Sequence, residues 1–116
     1  MRMFLVLIVM MMSSAFAMAQ DNYGFKVAGV DVTSDNYLDL TEISGVSGKV
    51  YFDPNTRTLT LDNATIEVDG CNAILNKDCR YLVIELLGTN TINVTNSAGI
   101  YTCESTAILG GSGSTL

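Results

Sequence analysis

Leu59-Thr60-Leu61-Asp62-Asn63-Ala64-Thr65-Ile66-Glu67-Val68 returns, with substitutions, as Ile84-Glu85-Leu86-Leu87-Gly88-Thr89-Asn90-Thr91-Ile92-Asn93-Val94. Leu59 and Ile84, like Leu61 and Leu86, lie 25 residues apart, whereas Ile66 and Ile92, like Val68 and Val94, lie 26 apart. Ile74 and Ile100 continue the echo, and a third copy opens at Ala107-Ile108-Leu109. Within each copy apolar residues alternate with Thr, Glu or Asn, as in a strand with one dry face. Such a period in strand-forming residues predicts an all-β parallel β-helix, a solenoid with coils of about 25 residues. A single coil cannot bury its apolar face, but stacked coils share one core. The predicted inward column is Leu59, Leu61, Ile66, Val68 and Ile74, stacked on Ile84, Leu86, Ile92, Val94 and Ile100.

Upstream of the repeat the signals are local. Lys49-Val50-Tyr51-Phe52 and Thr58-Leu59-Thr60-Leu61 flank Asp53-Pro54-Asn55-Thr56-Arg57. Pro presets φ and Asn tolerates left-handed geometry, so this reads as a β-hairpin. Phe25 to Val32 reads as a strand or short hairpin bending at Ala28-Gly29, and Tyr37 to Ile43 as a helical turn or short strand. The expected organisation is a leader at 1–19, an N-terminal cap of strands and hairpin at 20–57, and solenoid coils at 58–116. The third copy breaks off at Leu116 without a visible cap. An uncapped coil exposes unpaired strand edges. The expectations are therefore a shortened chain, or self-association through the open C-terminal coil.

The leader is read from Arg2, the apolar run Phe4 to Met12, and Ala17-Met18-Ala19 before a cut at Gln20. The run is too short to span a bilayer. A cleaved signal peptide predicts a secreted or cell-surface protein, without membrane attachment after cleavage. Losing Arg2 takes the net charge from −6 to −7. So acidic a chain repels phosphate backbones and anionic lipid, which argues against nucleic acid as a partner.

Tyr23 to Asn36, then Val50-Tyr51-Phe52-Asp53-Pro54-Asn55-Thr56-Arg57-Thr58-Leu59-Thr60-Leu61-Asp62-Asn63-Ala64-Thr65-Ile66, resembles the N-terminal module of secreted bacterial right-handed β-helix repeat proteins of Bacteroidetes and Firmicutes type. Leu82 to Ile92 and Gly99-Ile100-Tyr101 resemble the coils that follow in those proteins. The resemblance implies a β-helix. Related coils are often labelled carbohydrate-binding or pectin-lyase-like, a label that rests on fold and does not fix an activity.

The chain contains no His, so the usual base of a nucleophilic triad is missing. The reading is a non-catalytic binding or adhesion protein, toward carbohydrate or another surface protein, without a cofactor. A purely structural capping module and a fragment of a polysaccharide-active enzyme are the alternatives. Asp62, Glu67 and Asp69 are the nearest approach to a Ca²⁺ site, because Ca²⁺ takes six to eight oxygen ligands. A solvated outer face is the simpler explanation of them, since no EF-hand or nonapeptide Ca²⁺ pattern is present. Asn63 and Asn90, at corresponding turns, read as a hydrogen-bonded stack between coils. Cys71, Cys79 and Cys103 leave at least one thiol unpaired. Cys79 and Cys103, 24 residues apart, are a candidate disulfide, with Cys71–Cys79 as the competing pair.

Overall fold

The computed structural model describes residues 20–111 and 113–116, so the expected leader lies outside the described residues. Nine strands follow in order: β1 Asn22–Val27, β2 Val30–Thr33, β3 Val46–Asp53, β4 Thr58–Asp69, β5 Ile74–Asn76, β6 Leu82–Leu87, β7 Thr91–Thr95, β8 Ile100–Thr102 and β9 Thr106–Gly110. A 3-10 turn, Leu40–Glu42, precedes β3. Asp39 caps it by accepting from the Thr41 N–H at 3.1 Å.

The strands form two sheets. One has the order β2-β1-β5-β8; the other runs β3-β4-β6-β9, with β7 pairing the second half of β4. Both are mixed. β1–β2, β1–β5 and β3–β4 are antiparallel, whereas β4–β6, β4–β7, β5–β8 and β6–β9 are parallel. The expectation of a parallel β-helix is therefore corrected: the molecule is a small all-β domain of two open, mixed sheets, with neither a closed nor a solenoid sheet. The repeat itself is realised as strand pairing. Leu59 faces Ile84, Leu61 Leu86, Ile66 Ile92, Val68 Val94 and Ile74 Ile100. Antiparallel strands from before the repeat share one core with its stacked copies.

The core shows this division of labour. One cluster of buried side chains runs from Phe25 to Leu86. The repeat contributes Leu59, Leu61, Ile66, Ile74, Leu82 and Ile84, while Phe25, Val27, Val32, Leu40, Val50 and Phe52 come from before it. Phe25 in the first sheet and Phe52 in the second meet edge-on at 4.8 Å, and Tyr23 lies 5.1 Å from Phe52. Full burial of one such ring contributes on the order of 2–3 kcal/mol. At the other end the core opens. Ile108, the parallel partner of buried Ile84, is 49% exposed.

Asparagines hold the corners. Asn76 is fully buried; its Nδ2 donates to the Cys79 carbonyl and to Thr106 Oγ1, both at 2.8 Å, and its Oδ1 accepts from the Cys79 N–H at 2.9 Å. Asn90 Oδ1 accepts from the Ala64 N–H at 2.8 Å, and Asn63 Oδ1 accepts from the Thr89 N–H at 3.0 Å. The expected Asn stack is thus a pair of side-chain-to-backbone bonds between adjacent copies rather than an Asn–Asn ladder.

Candidate functional site

The outward face of the four-stranded sheet is assembled by pairing across all its strands. β1 and β2 turn at Ala28-Gly29, where φ is +50° and +82° as a two-residue hairpin turn requires. That hairpin sets Asp31 opposite Lys26. β1 then sets Lys26 opposite Leu75 in β5, and β5 sets Leu75 opposite Tyr101 in β8. Phe25 and Val27 point into the core, so Lys26 between them points out. Leu75, flanked by buried Ile74 and Asn76, also faces outward. The result is a row, Asp31–Lys26–Leu75–Tyr101, ending in a ring that is 53% exposed.

Beside this row lies a shallow groove of about 230 Å³, lined in part by Asn22, Lys26, Asp31, Leu75, Lys77 and Asp78. Two lysines and two aspartates share its lining with Phe25 and Leu75. Lys26 Nζ sits 4.0 Å from Asp31 Oδ1, with both side chains about half exposed. Such a pair contributes at most about 1 kcal/mol, so its groups are readily re-partnered by hydroxyls of a ligand. The groove is smaller than a typical drug-sized pocket and open to solvent, which suits one unit of an extended ligand rather than an enclosed small molecule.

No family model matches this chain, and no curated protein or solved structure matches it either. The resemblance to β-helix modules therefore rests on its motifs alone, and the site on its geometry.

The residues singled out in the sequence are placed elsewhere. Glu67 and Asp69 come together on the outer face of β4, with Asn93 and Thr95 as their partners on β7. Asp62 lies across the bend at Asn63, opposite Lys49 of β3, and accepts from Asn63 Nδ2 at 3.0 Å. The three carboxylates do not converge, and among the described residues no group of three His, Cys, Asp or Glu is arranged to hold a metal. Asp69 Oδ1 accepts from Asn96 Nδ2 at 3.1 Å, a bond between adjacent copies.

All three cysteines are free thiols. Cys79 is buried and Cys103 exposed, and the Cys103 N–H donates to the Asn76 carbonyl at 2.7 Å. Strand register explains why the 24-residue spacing reads ambiguously. Asn76 pairs Thr102 on one side of this corner, which aligns Cys103 with Lys77; Leu82 pairs Thr106 on the other, which aligns it with Cys79. The corner loses two residues in the last copy. Burial pushes the Cys79 thiol above its ordinary range, against the opposing pull of Arg57, and keeps it protonated near neutrality.

Lys26, Leu75 and Tyr101 escaped the sequence reading because the repeat says nothing of β1. Their only local signal is alternation, an outward residue between inward ones. Nothing in the local sequence brings β1 beside β5.

Proposed function

We propose that this chain is an exported, non-catalytic binding protein that acts in the medium or at the cell surface and engages carbohydrate through the outward face of the four-stranded sheet. The observation that supports the reading most directly is the row Asp31–Lys26–Leu75–Tyr101 beside its groove. A sugar ring presents an apolar face of C–H groups and a rim of hydroxyls that both donate and accept. Leu75 and Tyr101 offer the apolar counterpart, while Lys26, Asp31, Lys77 and Asp78 offer donors and acceptors within the same patch. The charges cancel locally, which suits neutral polysaccharide. Export is supported by the leader motif. A glycan panel probed with wild type and Tyr101→Ala tests the reading. Binding reduced at least tenfold in the variant is expected, with an unchanged melting temperature because the ring is exposed. Equal binding by both, or none by either, would sink this site.

A second reading, a structural module that docks on another surface protein or on a second copy, is favoured by one observation. Ile108 and Leu109, in the edge strand β9, are 49% and 54% exposed.

A further inference from the structure

Left-handed residues recur at the corners of the fold. Asn63, Gly88 and Gly113, with φ of 47°, 71° and 83°, mark one recurring position, and Gly70 and Asn96, at 77° and 62°, mark another. Both are filled by the two residue types that adopt this conformation cheaply. The third position is different. Arg57, just before β4, has φ 52°, and Tyr81, just before β6, has φ 59°. A bulky aromatic residue at positive φ is an outlier, and such strain persists where something else requires the side chain. Core packing does not require it, since Tyr81 is 67% exposed.

The surroundings indicate what does. Tyr81 borders a shallow groove of about 210 Å³ whose walls include Val83, Thr106 and Ala107. The backbone of Arg57 lies beside Val83, its carbonyl accepting the Val83 N–H at 2.8 Å. Arg80 is adjacent in sequence, with a largely exposed side chain whose Nε lies 3.7 Å from Glu104 Oε2. Both arginines that follow the leader thus gather at one corner of a chain of net charge −7 after leader loss, offset there by Glu104 alone of the groups named.

We propose that this corner is a subsite for an acidic sugar, with the pyranose ring stacked on Tyr81 against Val83 and Ala107 and its carboxylate or sulfate held by Arg57 and Arg80. The assignment rests on the carbohydrate-binding reading above and adds to it a second site with a different charge preference. A guanidinium can engage a carboxylate or sulfate through two parallel N–H bonds, whereas Tyr supplies a flat face at low entropic cost. Tyr81 lines the groove while its side chain stays largely exposed.

Affinity electrophoresis of the purified full chain through gels holding polygalacturonate, dextran or polyglutamate tests the proposal. Wild type should be retarded by polygalacturonate and not by polyglutamate, which carries the charge without the ring. Tyr81→Asn should weaken that retardation at least tenfold while its melting temperature holds or rises, because Asn tolerates the left-handed region. Arg57→Ser should weaken it too, and Tyr81→Phe should preserve it. Equal retardation by polyglutamate, or full binding by Tyr81→Asn, overturns the subsite. Retardation by dextran alone overturns it and leaves the neutral-glycan reading standing; retardation by no glycan overturns both.

Discussion

Asn76 shows how one side chain can decide a turn. It saturates both backbone groups of Cys79 and reaches Thr106 in the next copy, all without solvent contact. Asn76→Ala would strand the buried N–H and carbonyl of Cys79, each costing about 1–3 kcal/mol when unsatisfied. A loss of roughly 3 kcal/mol is expected in denaturant titration, and Asn76→Asp should cost at least as much, because it keeps the acceptor but sets a buried carboxylate oxygen against the Cys79 carbonyl. Asp39 makes a different prediction. Hydrogen bonds from the Thr41 hydroxyl and N–H hold its carboxyl below the ordinary carboxylate range. A depressed folded value means stability that is present above the unfolded value and lost as pH falls through the folded one. Thermal melts below about pH 4 should therefore fall less steeply for Asp39→Asn than for wild type. Of these residues, none announces its role in the sequence. Asn76 sits in a polar run that reads as surface, and Tyr81 occupies a conformation that sequence rules reserve for Gly and Asn.

Among the elements, β4 is the spine. It pairs β3 on one side, and β6 and β7 in tandem on the other. Its partnership with β3 depends on a bulge at Gly48, where φ is +88° and a Cβ would lie 2.7 Å from the Ala64 Cα and collide with the Asn63 carbonyl. Gly48→Ala is expected to cost upwards of about 2 kcal/mol, read as a lower midpoint in urea. The two hairpins were legible because their turns are local, at Ala28-Gly29 and between Asp53 and Thr58. The five apolar partnerships were legible because periodicity records them. The pairing of β1 with β5 was not, since Val27 and Ile74 meet across a separation that no repeat announces. The outward row Asp31–Lys26–Leu75–Tyr101 depends on that pairing and was hidden with it.

For the molecule as a whole, charge is distributed unevenly. From Leu86 to Leu116 Glu104 is the only charged side chain, so the edge strands β8 and β9 carry little of the charge that ordinarily discourages edge pairing. Ile108→Lys should lower any self-association seen by light scattering at high protein concentration, with little change in melting temperature because the site is half exposed. The bent strand β4 also has a consequence for the order of assembly. β6 and β7 each align on a strand laid down about one repeat earlier, and β9 aligns on β6 in the same way. A chain released N-terminus first can thus zip onto surfaces already built, and the β3–β4 hairpin is the natural nucleus. Destabilising substitutions in that hairpin should then slow refolding, whereas those in β8 and β9 should chiefly hasten unfolding.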